Sequence, residues 1–128
     1  MARARIADPI GLAAVRSGAT DRETTATAVR YTLQVLSEIA EGNTVEVRVP
    51  PYGAVQAIEG PRHTRGTPPN VVEMDAATWL AIATGVTAWS DALAAGRIAA
   101  SGQRADISAY LPLVRLPRAD DIQKSEGQ

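Results

Sequence analysis

The 128-residue chain contains no cysteine, no phenylalanine, one histidine (His63) and one lysine (Lys124). The missing cysteine excludes a disulfide framework, a thiolate nucleophile and any thiolate metal site. A lone histidine excludes metal motifs built on a histidine pair. Aromatic residues make up only 4% of the chain, so its core must be assembled from Ala, Val, Leu and Ile. The formal net charge is −1. It lacks the basic excess that marks a nucleic-acid-binding face, and no nucleic-acid partner is expected. No apolar run reaches the ~18 residues of a membrane span. The first residues, Met1 to Pro9, carry charge without the apolar core of a signal peptide. These absences together lead to the expectation of a soluble, cytoplasmic protein.

What is present is a 45% hydrophobic chain, enough for a globular core. Its length suits one domain, spanning about residues 8–115. Residues 116–128 turn polar and read as a disordered tail. Asp8-Pro9 is a helix start, and Ser17-Gly18 a stop after Arg16. Thr20 and Glu23 fit a capping box. From there Ala26, Val29, Leu33, Leu36 and Ala40 recur every three or four residues, which predicts a long helix ending near Gly42 with one apolar stripe for a sheet. Arg22, Thr27, Arg30, Gln34 and Glu41 fall mostly on the opposite side. Val45, Val47 and Val49 alternate with Glu46 and Arg48, the pattern of a strand with one buried face. After Pro50-Pro51-Tyr52-Gly53 a second strand runs from Ala54 to Glu59 and should pair antiparallel with the first. Gly60 to Asn70 is a loop, with three prolines and two glycines, and Val71 to Met74 is a third short strand.

The stretch Asp75 to Leu113 is punctuated by Gly85, Gly96 and Gly102. Asp75 is placed to cap a helix that Gly85 ends, and Thr87 a second helix that Gly96 ends. Arg97 to Ser101 is short and reads as a strand, and Ala105 to Leu111 as a helix stopped by Pro112. The order helix, helix, three strands, helix, helix, strand, helix predicts an α+β fold, a small mixed sheet with helices packed on one face.

Chemistry-bearing clusters are few. Arg62, His63 and Arg65 form a loop cluster that can hold a phosphate or carboxylate, or can simply be solvated. Catalysis by His63 would need a nucleophile or orienting carboxylate, and no motif supplies one. The glycines match neither a phosphate-binding loop nor a dinucleotide fingerprint, and no metal or cofactor is expected. Trp79 and Trp89 read as packing residues whose indole N–H groups find partners. The larger possibility lies in the apolar faces. Leu33 and Leu36 on the long helix, Val47 on the first strand, and Ile107, Tyr110, Leu111 and Leu113 at the end can enclose a cavity for an apolar ligand, or be ordinary core.

The glycine-stopped order of the second half, with Trp79-Leu80-Ala81 to Gly85, Asp91 to Ile98, and Gly102, resembles the carboxy-terminal half of the sterol carrier protein domain. The phrases Val45 to Gln56, Gly60 to Glu73 and Arg104 to Leu113 look like those of small actinobacterial proteins classed as bacterial orthologues of sterol carrier protein, over about residues 8–115. The resemblance implies an apolar tunnel that takes sterols, fatty acids or acyl chains without a catalytic residue. By position, Leu93, Ile98, Ile107, Tyr110, Leu111 and Leu113 would line it. Mycothiol-dependent isomerases carry a similar carboxy-terminal domain beside a metal-binding helical domain. An accessory role beside a protein partner, or in a homo-oligomer, is therefore a second expectation.

Overall fold

The computed structural model of the chain describes residues 4–60 and 70–117. Four helices, four strands and one 3-10 turn follow one another there. Helix α1 (Asp8–Ser17) and the long α2 (Arg22–Ile39) precede strands β1 (Val45–Val49), β2 (Gly53–Ala57) and β3 (Asn70–Glu73). Helices α3 (Ala76–Ala83) and α4 (Trp89–Ala94), strand β4 (Ala99–Ser101) and the turn Ser108–Tyr110 complete the order. The sheet runs β2-β1-β3-β4. Its central pair, β1 and β3, is parallel, and both edges are antiparallel. The architecture is thus α+β with a small mixed sheet, as the periodicities predict.

Alternation decides which face of the sheet is covered. Val45, Val47 and Val49 are fully buried while Glu46 and Arg48 between them are only half-buried. The register carries this alternation across the strands, setting Val47 beside Val55 on β2 and beside Val72 on β3. Above these valines lies the stripe of α2, with Val29, Leu33, Leu36 and Ala40 all buried. Each fully buried valine or leucine is worth roughly 1.5–3 kcal/mol over leaving it exposed, so this seam is the main source of stability.

Trp79 of α3 closes the core and has no exposed surface. A buried indole needs an acceptor. Its Nε1 donates to Thr32 Oγ1 at 2.7 Å, and the same hydroxyl donates to Ala28 O at 2.8 Å. Thr32 is therefore buried on an otherwise apolar helix face because it satisfies the tryptophan. At the other end, buried Asn70 donates from Nδ2 to Thr44 O at 2.9 Å and accepts from Arg104 N at 2.8 Å, tying the starts of β1 and β3 to the loop after β4.

Helix ends follow local chemistry, with some shifts from expectation. Asp75 caps α3 as predicted, accepting from Thr78 N at 2.8 Å. Gly85 and Gly96 take φ of 81° and 74° as helix stops. The cap of α2 is Asp21, not Thr20. Its carboxylate accepts from Thr24 N at 3.0 Å, and an ionised acceptor outcompetes a hydroxyl beside the positive end of a helix. Asp8 does not cap α1, whose N-cap is Ala7. Thr87 does not cap α4 either; its N–H turns back to Ala81 O at 3.1 Å, and Ala88 takes the N-cap position. The expected closing helix over Ala105 to Leu111 is only the 3-10 turn Ser108–Tyr110. Asp106 Oδ1 accepts from Ser108 N at 2.8 Å, a local bond that competes with helix formation, and Pro112 leaves no room to extend. The chain then docks on α3, where Leu113 N and Val114 N both donate to Ala83 O. The link between β1 and β2 is a tight turn in which Tyr52 N donates to Val49 O at 2.9 Å, with the Pro50–Pro51 peptide cis.

Candidate functional site

Helix α2 has two occupied sides. One is the apolar stripe on the sheet. The other carries Thr27, Arg30, Gln34 and Glu38, spaced three and four residues apart and hence aligned along the helix. This second side is not left to solvent. The N-terminal segment Ala4–Ala7 and helix α1 lie along it.

The segment is clipped to α2 at successive turns. Arg5 grips Glu38 with both ends of its guanidinium, Nε to Oε2 at 2.6 Å and Nη2 to Oε1 at 2.8 Å, and reaches Asp8 Oδ1 at 3.0 Å. Gln34 makes a reciprocal pair with the backbone of Ile6: Ile6 N donates to Oε1 at 2.8 Å, and Nε2 donates to Ile6 O at 2.9 Å. Tyr31 OH donates to Asp8 Oδ1 at 2.8 Å. Gly11 is buried against the Tyr31 ring, and a Cβ at this position would fall inside the ring, so only glycine lets α1 approach this closely.

The charges respond accordingly. The Tyr31 hydroxyl, and after it the Arg5 guanidinium, hold the Asp8 carboxyl below its ordinary value. The Arg5 hydrogen bonds do the same for Glu38. Burial, followed by the bond to Asp8, pushes the Tyr31 phenol up. All three shifts stabilise the ionised carboxylates and the neutral phenol that the clip uses.

Between this segment, α2 and the β1–β2 hairpin lies an open groove of about 980 Å³. Ile6 and Ile10 form one wall, Tyr52 to Val55 the other, and Leu33 and Arg30 lie along α2 between them. Ile10 is 62% exposed, an apolar side chain left uncovered at the rim. Arg30 is half-buried, and its Nε donates to Tyr52 O at 3.0 Å, fastening the hairpin to α2. Gly53 faces the groove: a Cβ added there would meet Leu33 Cδ1 at 3.6 Å and Arg30 Cγ at 3.9 Å, so a methyl group fits and anything larger enters the groove. A second, smaller groove of about 530 Å³ lies between the α3–α4 turn and the closing segment, with Ile82, Trp89 and Leu111 in its lining.

The sequence-predicted ligand residues divide among these places. Leu33 lies both in the core and in the larger groove, and Leu111 lines the smaller one. Leu36, Val47, Ile98 and Ile107 are buried in the core cluster. Tyr110 and Leu113 are partly buried against it, and Leu93 is 42% exposed on α4. Arg62, His63 and Arg65 lie outside the described residues. Sequence reasoning did not select Arg30, Ile6, Ile10 or Val55 as site residues. The available signal was Arg30 without an acidic residue three or four positions away on the helix, and Ile10 in a helix too short to bury all its apolar residues.

The order of elements, the mixed sheet and the glycine-stopped helix pair agree with one family. The sequence matches the family described as the bacterial SCP orthologue over residues 21–113, more than half of the chain. The chain belongs to this bacterial family of sterol carrier protein orthologues. A comparison with curated proteins finds no match. In this bacterial SCP orthologue, the matched span takes in α2, the whole sheet, both later helices and the closing segment, and begins at the Asp21 cap. The clipped segment and α1, which make one wall of the larger groove, precede it.

Proposed function

We propose that the chain is a non-catalytic carrier of a small apolar ligand and that the ligand lies in the groove between the N-terminal segment, α2 and the hairpin. Membership of a sterol-carrier-like family makes lipid carriage the natural class of function. The observation that carries the site assignment is the groove itself. Its volume of about 980 Å³ lies within the range of small-molecule sites, and Ile6, Ile10, Leu33 and Val55 converge on it. The ligand is a lipid, an acyl chain or a sterol-like molecule, held by apolar contact with a few polar groups at the rim. No helix among the described residues is long and apolar enough to cross a membrane.

Titration with a fluorescent fatty acid and a fluorescent sterol analogue tests this reading. Saturable binding of at least one is expected for the natural sequence. Gly53→Leu fills the groove from its edge strand and should weaken that binding about tenfold or more while leaving the melting temperature within a few degrees, because the new side chain enters space and not core. Binding that is absent, or that persists unchanged in Gly53→Leu, would overturn the assignment.

A further inference from the structure

Among the described residues, the groove holds one cation with no partner for its terminal nitrogens. Arg5 is neutralised by Glu38 and Asp8. Arg30 is different. Its Nε is committed to Tyr52 O, but its two terminal nitrogens have no hydrogen-bond partner and no carboxylate within ion-pair distance among the described residues. Arg30 is a half-buried residue and shares the lining of the groove with Ile10, Leu33 and Val55. A cation in such surroundings gains from a counterion more than a solvated surface arginine does, because apolar walls lower the local dielectric. The bond from Nε fixes the plane of the fork and leaves two donors side by side, the geometry that receives a carboxylate with both oxygens.

We infer that Arg30 is the headgroup anchor of the groove and that the ligand is a single-chain monoanionic amphiphile, a fatty-acid-like carboxylate, with its alkyl chain in the groove between Ile6 and Ile10 on one side and Val55 on the other. This deepens the carrier reading and rests on it. A monoanion is specified because, of the two arginines that line the groove, Arg30 is the one without an ion pair among the described residues. A phosphate monoester would bring close to two negative charges to it. The cluster of Arg5 with Glu38 and Asp8, one cation against two carboxylates, reinforces the choice. Glu38 is eight residues along α2 from Arg30, about 12 Å at 1.5 Å per residue, so the anion is favoured at the Arg30 end and opposed at the net negative cluster end.

The test measures displacement of a neutral apolar fluorophore, 1-aminoanthracene, from the full chain at a pH well above the carboxylate range. Dodecanoate, dodecan-1-ol and dodecyl phosphate are compared, because they share one chain and differ only in headgroup. Dodecanoate should displace the fluorophore at about tenfold or more lower concentration than the alcohol, the scale of a charge-assisted hydrogen bond. Arg30→Met should remove that ratio while leaving alcohol binding within about twofold. Because Arg30→Met also releases Tyr52 O, Arg30→Lys provides a second comparison: it too gives up the Nε bond but retains the charge, and should keep part of the preference. Equal displacement by acid and alcohol in the natural sequence would overturn the headgroup assignment and leave the carrier reading standing. Tighter binding of the phosphate than of the carboxylate would overturn the monoanion class. Displacement by none of the three would overturn both readings together.

Discussion

The two sides of α2 show how differently one helix can be used. On the sheet side, Val29, Leu33 and Leu36 meet strand valines, and the one polar group, Thr32, is saturated by Trp79 and a backbone carbonyl. On the other side, Gln34 and Glu38 hold a short N-terminal segment through side-chain bonds and Arg30 holds the hairpin, with an open groove alongside. The first side is held by area removed from water and is close-packed. The second is held by the close approach of Gly11 to Tyr31 and a few polar contacts, some exposed and some half-buried, each of the exposed ones worth much less. A ligand-accessible space suits the second because separating polar clips costs far less than opening a packed core.

Four measurements sharpen or break this contrast. Trp79→Ala should have the largest effect, a loss of about 3–5 kcal/mol in denaturant unfolding, since it empties the centre of the core and removes the donor to Thr32 Oγ1. A loss below about 1 kcal/mol would mean that the sheet side is not the stabilising one. Thr32→Val keeps the shape but removes the acceptor of the buried indole N–H. It should cost about 1–3 kcal/mol in the same unfolding transition.

Gly11→Val forces a side chain into the Tyr31 ring and should act on the other side of α2. The expected cost is about 1 kcal/mol, the low end of overpacking, because α1 can move away from α2 without disturbing the sheet. Amide exchange should rise along α1 and at Ile6 N and stay slow in β1. Uniform acceleration through β1 would show that α1 and the sheet unfold as one unit.

The smallest effect concerns acid. Asp8 and Glu38 have folded-state pKa values below their ordinary ones. Groups shifted in this direction contribute stability above the ordinary carboxylate range, about pH 4, and lose it as pH falls through the folded values. The Asp21 and Asp75 caps are depressed in the same way, by bonds from Thr24 and Thr78, so global stability also declines there. The diagnostic is therefore relative. Exchange at Ile6 N, corrected for its intrinsic rate, should accelerate at higher pH than exchange in β1. Simultaneous acceleration would indicate that the polar clip has no separate equilibrium.

Much of the fold was legible in the sequence because its signals are local. The valine alternation of β1, the stripe of α2, the Asp75 cap and the glycine stops each need only a few neighbouring residues, and the α+β order follows from them. The closing segment has a helix-compatible periodicity yet forms only a 3-10 turn, because the Asx bond at Asp106 competes with the helix and hydrophobic period does not register it. The groove was less legible. The polar stripe through Arg30 and Gln34 looks like a solvated face in sequence, and nothing local says that residues 4–10 return to cover it.

The sequence by itself determined the elements, their order, the face of the sheet that is buried and the family, because backbone propensity and hydrophobic period are written in adjacent residues. Only the tertiary structure decided that Gly11 admits α1 onto Tyr31, that Thr32 is placed to serve Trp79, and that Arg30 lines the groove with no partner for its terminal nitrogens among the described residues. Those outcomes depend on which residues distant in the chain come within a few ångströms, and contact across such separations leaves no periodic trace in a single sequence.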